Sequence, residues 1–176
     1  VCATAHIELD KPAAIQLALG LDEESIQPWV RSEETANHTI PLLGLRGDTT
    51  YQVDIHIDAQ AASRTQFTSD SLPNMFPRIV LNKAGDDRMQ PGLTLINVLE
   101  WVTPAGRRFF VLAIDDAGEI VWYKRIERLA LALSVDAQGR IYTTNGTLEV
   151  LRLDPYGQNS TTWPVDSLGI SSVHHE

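Results

Sequence analysis

His174, His175 and Glu176 are the residues whose types and adjacency most invite chemistry. A neutral imidazole is a nucleophile, a base and a hydrogen-bond donor. Successive side chains on a strand point to opposite faces, so only one of the two rings can enter a given site while the other packs or meets solvent. A zinc centre needs three or four converging ligands, and neither a third histidine nor a cysteine lies nearby, so no metal is expected. The competing reading is a solvated terminus or tag remnant; against it, "SSVHHE" continues an apolar strand pattern and is not a run of six histidines.

The remaining reactive types are weaker candidates. His6 and His38 stand beside polar neighbours on expected strands and should lie at the surface, and His56 falls on the solvent face of its strand. Cys2 is the single cysteine, which rules out an internal disulfide framework and leaves a lipid-modified anchor as the alternative to a plain thiol. Trp101, Trp122 and Trp163 occupy strand positions suited to core packing. No two carboxylates have the arrangement glycoside hydrolysis would need. Arg46-Gly47-Asp48 spells an adhesion tripeptide, but it forms the tight turn before Tyr51, where Gly47 is expected to supply backbone freedom and Asp48 to cap.

The elements that must carry these residues are strands. With 176 residues, 43% hydrophobic and 21% charged, the chain is long enough for one ordinary core or two small ones. Its formal net charge of -9 makes nucleic acid and anionic membrane poor partners. The longest apolar runs, "FFVLAI" and "LALALSV", are too short for a membrane helix and read as buried strands.

Up to about Asp70 the period is two. "TYQVDIHID" sends Tyr51, Val53, Ile55 and Ile57 one way, and "IQLALGL" does the same with Ile15, Leu17, Leu19 and Leu21. Shorter strands are expected at "TAHIELD", "IQPWVRS", "HTIPLLGL" and "TQFTSD", about six in all, which suggests a small sandwich over residues 1–71. Pro73 and Pro77 stiffen a linker and lead-in over residues 72–92. Beyond it, Asp115–Gly118, Asp136–Gly139 and Asp154–Gly157 each place Asp-x-x-Gly between apolar runs. Such an aspartate can bond its own turn while the glycine takes the left-handed conformation, closing a short hairpin. The spacing suits four-stranded propeller blades, so residues 93–176 amount to about two, an incomplete propeller with an open edge for association. The fold class expected is therefore all-β: a small fibronectin- or immunoglobulin-like sandwich followed by opening propeller blades.

"GLRGDTTYQVDI" resembles the tyrosine corner of a fibronectin type III domain. In that likeness Tyr51 bonds back to the turn, Leu45 packs under it, and Trp29 supplies the aromatic core, since "AAIQLALGLD" carries no tryptophan. Taken in order, "PGLTLINVLEW", "DDAGEIVWY", "DAQGRIY", "NGTLEVLRLDPYG" and "DSLGISSVHHE" resemble the N-terminal part of an aryl-sulfate sulfotransferase. That family more often has aspartate where Glu176 stands.

The resemblance implies a periplasmic or secreted enzyme that moves a sulfuryl group from a phenolic sulfate donor to a phenol acceptor through a sulfohistidine, with no cofactor. It places one of His174 and His175 in a supporting role at the sulfuryl group. The nucleophile and its arginine partner belong to later blades, so these 176 residues alone are expected to be inactive. Two other classes fit parts of the pattern. One is a quinoprotein-like propeller, with pyrroloquinoline quinone and calcium, or a scaffold propeller. The other is a carbohydrate- or surface-binding module using the first domain.

Overall fold

The computed structural model describes residues 2–74, 76, 79–80, 92–102 and 106–171. The chain divides into two compact units, Val1–Asn74 and Met75–Glu176, and is all-β, with several antiparallel sheets. No helix among the described residues is long and apolar enough to cross a membrane.

The first unit holds four strands: β1 (Ala3–Gly20), β2 (Gln27–Leu42), β3 (Thr50–Ile57) and β4 (Gln60–Thr68). They form one antiparallel sheet in the order β2-β1-β3-β4. The expected six short strands are thus merged, because "TAHIELD" and "IQLALGL" run together as β1, and "IQPWVRS" and most of "HTIPLLGL" as β2. Pairing from Ala3↔Leu42 to Glu8↔Asn37 resumes at Ala13↔Thr35, so Leu9 to Pro12 stand against Ala36 alone. Pro12 cannot donate to a ladder, and the extra residues bulge out without ending the strand. On its other side β1 pairs with β3 only from Ile15↔Ile57 to Gly20↔Gln52.

Alternation puts Ile15, Leu17, Leu19, Ile40, Leu42, Tyr51 and Val53 into one core with Leu45, and Ile15, Leu17 and Leu45 are wholly buried. Leu21 lies past the end of β1 and is exposed. Trp29 is not the core aromatic. At this end of β2 it is the neighbour Val30, paired with Leu17, that packs against the core, while Trp29 is 42% exposed, its ring edge 3.7 Å from where a Gly44 Cβ would stand. The aromatic pair is instead Tyr51 on Phe67, stacked at 5.6 Å between centroids. His38 is likewise not a surface residue. It sits opposite core-facing Ile7, and antiparallel partners share a face, so the ring is only 3% exposed.

The second unit holds two sheets. One runs β5 (Thr94–Val102), β6 (Gly106–Ile114) and β7 (Ile120–Ile126) in that order. The other contains β8 (Leu133–Val135), β9 (Ile141–Thr144), β10 (Glu149–Leu153) and β11 (Ser160–Pro164), ordered β11-β10-β9-β8. Val111, Ala113, Val121 and Trp122 from the first sheet share a core with Ile141, Leu151 and Leu153 from the second. Phe76 packs on Phe110 and Tyr123, at 4.9 and 4.7 Å. "FFVLAI" is a buried strand as expected, but "LALALSV" is strand only at Leu133–Val135.

The three Asp-x-x-Gly turns form as their chemistry requires. Gly118, Gly139 and Gly157 have φ of 86°, 74° and 64°, and each donates its N–H to the aspartate carbonyl at 2.9–3.0 Å. Oδ1 of Asp115 accepts from Ala117 and Glu119, that of Asp136 from Gln138 and Arg140, and that of Asp154 from Gln158.

Candidate functional site

The path to the histidine pair is fixed as far as Ser171. After β11 the buried Val165 donates its N–H to Leu148 O at 2.9 Å and opens a single 3₁₀ turn, Val165–Leu168. Gly169 ends it at φ 77°, with its N–H on Asp166 O, and Ile170 N–H returns to Val165 O. His174, His175 and Glu176 lie outside the described residues.

Upstream of that segment, the β7–β8 connection is held by three polar residues at the end of β9. Thr143, Thr144 and Asn145 are 3%, 3% and 8% exposed. Thr143 Oγ1 donates to Ala132 O at 2.7 Å, Thr144 Oγ1 accepts from Leu131 N–H at 2.7 Å, and Asn145 Oδ1 accepts from Arg128 N–H at 3.0 Å. These hydroxyls satisfy the Leu131 N–H and the Ala132 C=O, two backbone groups that would otherwise need ladder partners. Asn97 on β5 donates its side-chain amide to Ala130 O, so the connection is tied to both sheets. In the sequence the only sign of this role is an uncharged polar triplet, "TTN", ending a strand pattern.

A polar cleft of about 380 Å³ lies beside β7, lined among others by Lys124, Glu127, Asn145, Glu149, Ser160 and Thr162. Its groups are already paired in part: Asn145 Nδ2 donates to Glu149 Oε2 at 2.6 Å, and Lys124 Nζ donates to Gly157 O. On the opposite face of the β8–β11 sheet, the Arg152 guanidinium lies 5.4 Å from the ring centre of half-buried Trp163 and donates to Thr161 Oγ1. Trp122 is buried, its ring 3.4 Å from where a Gly157 Cβ would stand. Only the strand position of Trp101 is described.

The most perturbed acids of this unit belong to turns. Burial works against the charge on Asp136, but hydrogen bonds from Arg140 and the turn amides prevail and hold its carboxyl below the usual range. Asp154 has the same balance, with Asn159 as the principal donor. Carboxylates that accept from two or more backbone amides are structural anchors here, and among the described residues no three His, Cys, Asp or Glu gather as a metal set.

In the first unit the Arg46-Gly47-Asp48 turn is pinned. Arg46 N–H donates to Tyr51 Oη at 2.8 Å, Ser69 Oγ donates to Arg46 O, and Asp48 N–H donates to Asp70 O. The left-handed residue is Asp48, at φ 49°, and not Gly47. Gly47 leaves room for the return of the chain, since a Cβ there would stand 3.1 Å from both Leu72 N and Cγ and press on them. His6 is exposed, 3.4 Å from Thr39 Oγ1, and His56 is half-buried on β3. Cys2 is exposed. Buried His38 approaches Ser32 Oγ through Nδ1 at 2.8 Å, and its Nε2 has no hydrogen-bond partner among the described residues.

Neither protein-family models nor curated proteins give a match to this chain.

Proposed function

We propose that the chain is the N-terminal part of a periplasmic or secreted aryl-sulfate sulfotransferase, a fibronectin-like sandwich followed by the first two blades of a propeller. The observation that carries the reading is the order of its parts. A tyrosine corner precedes two packed antiparallel sheets closed by Asp-x-x-Gly hairpins, and the histidine pair follows β11, where a third blade would start its inner strand. In a propeller that inner strand faces the central funnel.

In the proposed reaction an imidazole nitrogen attacks sulfur as the sulfur–oxygen bond to the donor phenol breaks, and phenolate leaves. An acceptor phenol oxygen then attacks the sulfohistidine, the nitrogen–sulfur bond breaks, and the imidazole is regenerated. Charge on the sulfuryl oxygens must be met by fixed donors, as in phosphoryl transfer. One ring of His174 and His175 is assigned that donor role. The nucleophile is assigned to later blades.

The test uses the polypeptide read from the whole encoding frame, with 4-nitrophenyl sulfate as donor and phenol as acceptor. Release of nitrophenolate that depends on the acceptor supports the reading. A frame that ends at Glu176, or a longer product with no turnover, removes it.

A further inference from the structure

The core of the first unit is unfinished on one side. Ala3, Ala5 and Ile7 face the core yet are only half-buried, as are Ile55 and Phe67 across from them. Together with Leu17 they line a cleft of about 350 Å³. The backbone beside the cleft is unfinished as well. From Ala3 to Glu8, β1 pairs with β2 on one side, and on the other no strand among the described residues pairs with it, because β3 reaches only from Gly20 to Ile15. An unpaired edge with an apolar trough beneath it is suited to an extended peptide. Such a peptide hydrogen-bonds every second residue to the edge and drops alternate side chains into the trough.

Charge selects the occupant. Thr4, His6 and Glu8 are exposed on the outer face of this edge, Asp10 is exposed just past it in the bulge, and Lys11 is the one lysine or arginine within residues 2–12. Elsewhere in the unit the basic residues are Arg31, Arg46 and Arg64, and Arg64 is held by Asp54 at 2.6 Å and Glu23 at 2.8 Å. A second copy would bring an equally acidic unit alongside. A strand whose outward residues are Lys or Arg would pair across from Glu8 and Asp10.

We propose that the first unit binds an extended segment of a partner protein, alternating apolar and basic residues, as an added strand along the free Ala3–Glu8 edge. The apolar side chains enter the trough between Ile7 and Phe67, and the basic ones meet Glu8 and Asp10.

The test uses the full chain and a capped peptide of alternating Lys and Val, about eight residues long so that at about 3.4 Å per residue it spans Ala3 to Asp10. Two controls accompany it, one with Glu in place of Lys and one with alternate backbone nitrogens methylated. Hydrogen exchange followed by NMR should show protection of alternate amides between Ala3 and Leu9 with the Lys peptide alone. Glu8→Lys, an exposed change that leaves the core intact, should weaken binding about threefold. Ala5→Arg, which fills the trough, should abolish it. Equal binding of the Glu or the methylated peptide, or no new protection in this segment, overturns the proposal. Protection that rises with protein concentration in the absence of peptide overturns it in favour of a second copy.

Discussion

The Tyr51 hydroxyl accepts the Arg46 N–H at 2.8 Å and spans the turn that delivers Tyr51 into the core. The ring is 6% exposed and stacks on Phe67, so ring and hydroxyl hold different parts of the unit. Tyr51→Phe keeps the stacking and leaves that N–H without its partner. The expected loss is about 1–3 kcal/mol in urea unfolding of the first unit. The same bond keeps the Arg46-Gly47-Asp48 tripeptide in a tight turn, and the chain is expected not to support integrin-dependent cell attachment.

Leu45 and Trp29 should rank opposite to their size. Leu45 is wholly buried beneath the corner, and Leu45→Ala is expected to cost about 2–5 kcal/mol through lost burial and an unfilled cavity. Trp29→Ala removes a larger side chain that is 42% exposed and should cost less. Equal losses in thermal unfolding would return Trp29 to the core.

Gly157 has φ 64°, and a Cβ there would meet the Trp122 ring at 3.4 Å. Gly157→Ala therefore carries a left-handed backbone penalty of about 1–2 kcal/mol, plus whatever displacement of Trp122 adds. A lowered midpoint accompanied by a shift in tryptophan emission is expected.

Acid should loosen the second unit through its turns. The carboxyls of Asp136 and Asp154 are both held below their ordinary values despite the opposing effect of burial. Their contribution is complete above the unfolded carboxylate range, near about pH 4, and is lost as the pH falls through the lower folded values. Replacing both with Asn should flatten the acid limb of the pH–stability curve, and an unchanged limb would show that other carboxylates carry it.

Periodicity reveals which segments are strands and which face of each is apolar, and for β3 and β6 that suffices. It does not reveal whether two strands joined across Leu9–Pro12 are one, since a bulge conserves both patterns and differs only in what stands opposite. Asn37 and Thr39 flank His38 and suggest a surface position, yet flanking residues on a strand describe the other face. The partner that decides is Ile7, thirty-one positions away. The Asp-x-x-Gly hairpins were fully legible because their bonds close within five residues. The bonds of Thr143 and Thr144 to the 131–132 backbone were not, because the sequence does not show which segment will return past them.

In the proposed sulfuryl transfer one histidine of the pair assists and neither is the nucleophile. Its most direct measurement is mass-spectrometric trapping of the sulfuryl group after 4-nitrophenyl sulfate is added, in the complete polypeptide and in residues 1–176 alone. The account predicts a sulfohistidine beyond Glu176 in the complete polypeptide and none in the shorter chain. It also predicts that alanine at one of His174 and His175, but not at the other, lowers turnover about a hundredfold, the loss expected for one fixed transition-state donor. A sulfated His174 or His175, or no sulfohistidine in the complete polypeptide, would contradict it.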